Sequence, residues 1–418
     1  MKTIYRAVMG RTIHALIALL YYLIIIPVLI LIIIIIRSFV KKRIDVGLGP
    51  EPMINNIYHK KALVHAGYSA ETFVGSVYHI TSDFDYRADL QNYNKYKVGR
   101  YFSGVILFLR AISRYKCVYI YFHGGPLSGY SFLKKIEAQL FKLSNTRVLV
   151  MPYGGDVNDM SLAVNLKFKH AIDVDYPEFY KRNENVNQQI KRWTIGADKV
   201  VSGCDWVDYM YHWDKLMIAH FSIDTEKIRE FENPDYVLPK TFSKERPLKI
   251  LHAPNHKSMK GTSFIEQAVK DLQTEGYPVE LILMQKQSNA TILKTISEVD
   301  IVADQLVIGW YAMFALEGLS LSKPVICYLR EDLLELYMFA GLIKSREELP
   351  FLNTDVFGIK KVLEQVLKGE IDLGKIKEQC VPYVNKHHSI SYIGSVFDEL
   401  NQQMGIFPSL KTNKLMNE

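Results

Sequence analysis

Between Leu248 and Leu329 the chain places residue types that could hold a phosphorylated ligand. Pro-Leu-Lys-Ile-Leu-His-Ala (247–253) is a short apolar run of buried-strand type, and the polar loop 254–261 follows it. That loop carries Asn255, His256, Lys260 and Gly261. A helix is expected to begin at Thr262, with Ser263 and Glu266 spaced as a capping box, and to end at Gly276. Strand, basic loop and helix start together make an anion site. The first amides are free, the helix end is positive, and Lys260 adds a full charge. Further on, Glu317 stands on an apolar helix that leads into Lys323-Pro324-Val325-Ile326-Cys327-Tyr328.

These residues need a scaffold of alternating strands and helices. Val279–Met284, Asp300–Val302 and Lys323–Tyr328 read as further strands. Such alternation implies a parallel sheet covered by helices, with ligands at the carboxyl ends of its strands. The first half reads similarly. Ile44-Asp45-Val46 starts a strand, and the turn Gly47-Leu48-Gly49-Pro50 leads to a helix capped near Asn55 or Asn56 that ends at Gly67. Thr72–Ile80, Val118–Phe122, Arg147–Met151 and Lys199–Ser202 read as strands, and Tyr101–Arg114 as an amphipathic helix. His123-Gly124-Gly125-Pro126 and Pro152-Tyr153-Gly154-Gly155-Asp156 then fall at carboxyl ends of strands. His123 could orient or share the proton of a hydroxyl, or simply belong to a tight turn. Asp156 could accept a hydrogen bond from an acceptor hydroxyl, or cap the turn that follows. Asp205–Trp213 is expected to be helical, with its aromatic residues packed rather than presented to a sugar. Asp85, Asp159, Asp173 and Asp175 are expected to be solvated or to cap locally.

The segments HAPNHKSMKGT (252–262) and DQLVIGWYAMFALEGLSLSKPVICY (304–328) resemble the donor-binding half of GT-B glycosyltransferases, nearest in type to retaining family four. The resemblance implies two Rossmann-like domains facing a cleft. It implies that Lys260 and Gly261 hold the donor diphosphate, and that Glu317 holds the nucleotide ribose, a role a carboxylate acceptor suits. His256 or Asn255 falls near a phosphate-binding position. Many relatives carry a second glutamate where this chain has Gly309, and often a histidine where it has Tyr153. In the acceptor half, Gly47, Gly49, Gly124, Gly154 and Gly155 fall on the loops that would line the cleft. The implied domains are an acceptor domain over 44–240, a donor domain over 241–388, and a terminal helix with tail over 389–418 that crosses back. The implied chemistry is transfer from a nucleotide-sugar with retention of configuration and no metal, Lys260 stabilising the departing diphosphate.

The start of the chain bears on the acceptor. Ile13 to Ile36 is almost wholly apolar and, as a helix, would reach roughly 36 Å against ~30 Å of hydrocarbon. It reads as a retained anchor within 1–43, either a single span or a re-entrant segment kinked at Pro27. The globular part is expected on the cytoplasmic face. The chain carries 51 basic and 44 acidic residues, and seven basic residues lie in 1–43 with no acidic one. The whole excess of +7 therefore flanks the apolar segment. That placement suits anionic lipid and disfavours nucleic acid. A membrane-proximal, lipid-linked glycan in surface polysaccharide assembly is the acceptor this suggests.

Four cysteines without paired spacing indicate neither a zinc site nor a disulfide framework. Asp83-Phe84-Asp85 and Asp173-Val174-Asp175 have the spacing of a metal signature but lie away from the expected donor site. Two other readings remain open at this stage. One is a non-catalytic nucleotide-sugar-binding subunit that recruits a partner at the membrane. The other is a GT-B sugar-nucleotide epimerase, for which a bilayer tether has no purpose.

Overall fold

The computed structural model describes residue 19, residues 21–77 and residues 82–410. Two parallel sheets organise them. The first holds β1 (Ile44–Leu48), β2 (Ala70–Val74), β3 (Tyr86–Arg87), β4 (Tyr115–Tyr121), β5 (Arg147–Met151), β6 (Lys199–Ser202) and β7 (Lys215–Leu216), in the order β3-β2-β1-β4-β5-β6-β7. The second holds β8 (Leu248–His252), β9 (Val279–Leu283), β10 (Ile301–Ala303), β11 (Val325–Cys327) and β12 (Phe351–Asn353), in the order β12-β11-β10-β8-β9. β4 has the most telling sequence. Its residues are buried on both faces, so it reads as a continuous apolar and aromatic run. Val118 and Ile120 face one helical layer, while Cys117, Tyr119 and Tyr121 face the other.

The layer on the first face contains α1 (Ile26–Phe39), α3 (Lys97–Arg114), α4 (Glu137–Leu143), α5 (Leu166–Asp175) and α6 (Asn183–Gly196). The opposite face is covered by α2 (Ile54–His65) and by α15 (Ile390–Gln403), which returns from the far end of the chain. Ile393, Phe397 and Leu400 of α15 enter this core, and Gly394 lies so close to α2 that a Cβ there would stand 2.6 Å from the Ala62 carbonyl oxygen. Tyr68 Oη donates to Asp398 at 2.6 Å, and Tyr119 Oη to Asn401 at 3.1 Å. The remaining helices are α7 (Thr225–Arg229), α8 (Lys257–Lys260), α9 (Thr262–Thr274), α10 (Asn289–Glu298), α11 (Met313–Ser320), α12 (Glu331–Phe339), α13 (Ile359–Leu367) and α14 (Leu373–His387). Where α14 passes into α15, Ile223 N donates to His388 O at 2.9 Å, so the two chain crossings between the sheets lie side by side.

Several expectations need correction. The capping box at Ser263 and Glu266 does not form. The N-cap of α9 is Gly261 at φ +74°, and Thr262 turns inward to meet His252 Nε2 at 3.0 Å. Residues 204–209 form a 3-10 turn rather than a helix reaching Trp213. Gly47 lies inside β1, not in a turn. The strand expected over Thr72–Ile80 ends at Val74, and residues 78–81 are outside the described part, as is the tail 411–418.

Among the described residues no helix is long and apolar enough to cross a membrane. The start of the expected span, residues 13–18, lies outside them. Pro27 sits in the first turn of α1, which continues directly from a π-helical turn at Tyr21–Ile25. Leu29 and Ile33 are buried, in the same core as α3 and α4, while Leu31, Ile34, Ile35 and Phe39 stay exposed. Two of the basic flanking residues are used within the protein. Arg37 donates to Leu143 O at 3.2 Å, and Lys42 to Ser144 O and Asn145 O at 3.0 and 2.8 Å. They satisfy carbonyls at the carboxyl end of α4, where cations are favoured.

Candidate active site

Lys260 pairs with Asp304, just beyond the carboxyl end of β10, and Asp304 also bonds the start of the helix that carries Glu317. Lys260 Nζ lies 2.7 Å from Asp304 Oδ1 and 2.8 Å from Gln305 Oε1. Asp304 Oδ2 accepts from Ala312 N at 2.9 Å, immediately before α11. Glu317 on α11 accepts a hydrogen bond from Asn289 Nδ2 at 2.8 Å. Burial pushes the Glu317 carboxyl up to about 7; the Asn289 bond opposes this and the Asp304 charge adds to it. Burial, with the charges of Glu317 and Asp224 adding to it, raises Tyr58 of α2 to about 12. A cation and a carboxylate thus stand at the carboxyl edge of the second sheet, the cation paired with a buried aspartate that sequence reasoning did not single out. Its one legible signal is an acidic residue directly after an apolar strand.

The amides at the start of α8, one helix before the expected helix start, are bonded to a carboxylate of the protein itself. Asp175 at the end of α5 accepts from Ser258 N at 3.3 Å and Met259 N at 3.0 Å, both in α8. Asp175 is therefore neither solvated nor a local cap. Beside it, Tyr176 Oη meets His256 Nδ1 at 2.9 Å, and burial lowers the His256 pKa. Asn255 is exposed. Other contacts tie the same two sheets together. Lys167 Nζ pairs with Asp355 at 2.7 Å, and Asn165 Nδ2 donates to Val307 O and Ile308 O at 2.7 and 3.0 Å.

Gly309 explains its own departure from the resembled pattern. Its φ is +103°, and a Cβ built there would lie 2.5 Å from Arg330 Cδ. Arg330 fills the space that a side chain at position 309 would need. Its guanidinium is buried, pairs with Asp208 at 2.5 Å across the interface, and also binds Asp332. Nothing in the linear sequence joins positions 309 and 330.

In the first domain, Asp156 takes the turn role of the two open to it. Its Oδ1 accepts from Tyr153 N and Gly154 N at 2.9 and 3.0 Å, and its Oδ2 from Phe122 N at 2.9 Å. With three backbone donors and almost no exposure, it clamps the ends of β4 and β5 together rather than offering an oxygen to a substrate. Burial raises it to about 7. Gly154 holds φ +122° in that turn, and Gly155 O accepts from Arg182 at 3.2 Å. His123 is about half exposed with Glu51 at 3.9 Å, so it remains available to a ligand. Gly124 is buried at φ +114°. Gly47 and Gly49 serve packing, since Cβ atoms there would strike the Tyr115 ring at 2.3 Å and the Phe73 carbonyl oxygen at 1.8 Å. Trp206 and Tyr209 are buried as expected, whereas Tyr211 is exposed. Among the described residues no cluster of three or more His, Cys, Asp or Glu is arranged to hold a metal ion.

No family model and no curated protein sequence matches the chain. Solved structures do match it in fold. Sucrose-phosphate synthase from Thermosynechococcus elongatus superposes with a TM-score of 0.55 at 13% identity, over 87% of this chain and 99% of that one. Anabaena HepE, solved with UDP and glucose, gives 0.52 at 10% identity, over 86% and 100%. An α-glucosyltransferase solved with UDP-glucose and DNA gives 0.52 at 11% identity, over 87% and 99%. The class this defines is the GT-B fold, two parallel-sheet domains facing each other.

Proposed function

We propose that the protein is a metal-independent, retaining glycosyltransferase. It moves a sugar from a nucleotide-sugar to a lipid-linked saccharide in the assembly of a surface polysaccharide. The observation that carries this reading is Lys260 paired with Asp304, whose other oxygen holds the start of the helix that bears Glu317, at the carboxyl edge of the second sheet of a GT-B fold. The diphosphate would draw Lys260 Nζ out of its pairing with Asp304, and Glu317 would accept from the ribose hydroxyls. Bond breaking leaves negative charge on the departing diphosphate, and a preorganised cation lowers that barrier most in a water-excluded cleft. The neighbours solved with UDP and with UDP-glucose support a nucleotide-sugar donor.

The membrane part rests on α1, whose exposed Leu31, Ile34, Ile35 and Phe39 lie on the face turned from the protein. Tyr101 and Phe102 of α3 are also exposed. An apolar face of this size with basic neighbours suits a bilayer surface, with the globular domains on its cytoplasmic side. A second reading, a nucleotide-sugar-binding subunit without turnover, is favoured by one observation: Gly309, in place of the glutamate of the resembled pattern, leaves no room for a side chain beside Arg330. Turnover decides between them. A panel of nucleotide-sugars is assayed with lipid-linked saccharide in nanodiscs, for wild type and Lys260→Ala. Transfer that falls a hundredfold or more in the variant supports the transferase; binding without transfer from any donor supports the subunit.

A further inference from the structure

A pocket in the first domain gathers hydrogen-bond donors that the protein leaves without acceptors. It opens beside the His123–Ser128 loop, between the start of α4 and α6, and has a volume of about 120 Å³. His123 brings it to the carboxyl end of β4, where ligands of parallel sheets gather. Gly124 keeps the space open. Its φ is +114°, and a Cβ there would lie 3.4 Å from Trp193 Nε1 and 3.6 Å from Glu137 Oε2.

Trp193 is the most telling member. The residue is 1% exposed, it lines the pocket, and its indole N–H finds no acceptor among the described residues. A buried donor without a partner carries a cost that a bound acceptor removes. On the same walls, the side chains of Lys134 and Arg192 make no hydrogen bond or salt bridge among the described residues. Both are half-buried, and burial lowers the Arg192 pKa although the Glu137 charge opposes it. Glu137 does not supply the missing anion. Its oxygens already accept from Gly125 N at 3.1 Å and Leu127 N at 2.7 Å, and burial pushes its carboxyl up to about 8 against those bonds. At pH 7 it is largely neutral. The lining thus combines two cations and an idle indole N–H with no ionised acid.

The approach is positive as well. Arg192 also lines a groove of about 430 Å³ between α4 and α6, where Lys142 and Lys191 add two cations and no acidic side chain appears. Cations grouped in this way draw anions toward the pocket.

We propose that the pocket binds a compact oxyanion, a phosphate or carboxylate group, through Lys134, Arg192 and the Trp193 N–H. The group arrives free, as inorganic phosphate, or as a substituent of a sugar, and the two sources share this chemistry. A guanidinium beside an ammonium and an indole N–H offers several donors to the oxygens of either group. The site goes beyond the transferase reading and stands without it, because it lies on the first domain and uses neither Lys260 nor Glu317.

The test uses the full chain, with inorganic phosphate, glucose 6-phosphate, glucuronate and glucose as probes. Binding is read by calorimetry and by tryptophan fluorescence, with Trp193→Phe identifying the signal that comes from the pocket. At least one of the three anions should bind tenfold or more tightly than glucose. Lys134→Ala and Arg192→Gln should each weaken that binding at least tenfold, and Trp193→Phe severalfold. Arg192→Lys should recover part of the loss, and Lys260→Ala should change nothing. Phosphate binding as tight as that of either sugar anion identifies a free ion as the occupant. A tenfold preference for glucose 6-phosphate or glucuronate identifies a sugar substituent. No binding of any anion, glucose bound as tightly as the anions, or full affinity in both cation variants overturns the site.

Discussion

Glu317→Gln combined with a pH titration tests the ribose assignment most directly. Burial holds the Glu317 carboxyl at about 7, and only the ionised form accepts two hydroxyl protons at once. At pH 8 about nine-tenths of the group is ionised and at pH 6 about one-tenth, so wild-type affinity should fall roughly tenfold across that interval, one pKa unit being a tenfold change. UDP-glucose is the ligand of choice, since its phosphates stay ionised throughout, and titration calorimetry at constant ionic strength is the assay. The glutamine variant should bind about tenfold more weakly at pH 8 and show no pH slope. The same shift makes a statement about stability with the opposite sign. A carboxyl whose folded pKa is raised contributes stability below its unfolded value of 4.5, and that stability is lost as pH rises through about 7. The neutral variant escapes the loss, of order 3 kcal/mol, and should melt higher than wild type at pH 8 while converging with it near pH 4. A flat wild-type binding profile, or an equal slope in Glu317→Gln, would remove Glu317 from the ribose.

Three other expectations concern neighbouring parts. Gly309→Glu should not restore a working second glutamate: a positive φ and the collision with Arg330 should lower stability by about 2 kcal/mol or more in thermal melts, with no gain in turnover. Asp175→Asn removes a charge from the α8 amides, so UDP-glucose affinity should rise severalfold by calorimetry; a weaker complex would mean that the Asp175 contact organises the loop instead of competing for it. Leu31→Glu with Ile35→Glu alters exposed positions of α1, so binding to vesicles rich in anionic lipid should drop at least tenfold in co-sedimentation while the melting temperature stays within a degree or two.

What could be read from the sequence was set by local chemistry. Arg147–Met151 and Lys199–Ser202 were legible as strands because each is a short buried run closed by turn residues. Lys260 and Glu317 were legible as a pair because they follow β8 and β10, which are neighbouring strands of one sheet. The misses were of another kind. Asp175 seemed a local cap, since nothing near it in the chain reveals amides eighty residues away. Arg330 and Gly309 are neighbours only once β11 has returned beside β10. The capping box failed because Thr262 serves His252 on the adjacent strand, a tertiary preference that outweighs a local one. Asp156 had two roles open until three amides converged on it.

The returning helix α15 also fixes the order in which the protein can mature. One face of the first sheet depends on Ile393, Phe397 and Leu400 for its cover, and these are translated only after the whole second sheet has left the ribosome. Until then Tyr119, which packs on Phe397 and bonds Asn401, lacks its partners on a half-built domain. The nascent chain must therefore carry an incompletely covered lobe through nearly two hundred further residues of synthesis.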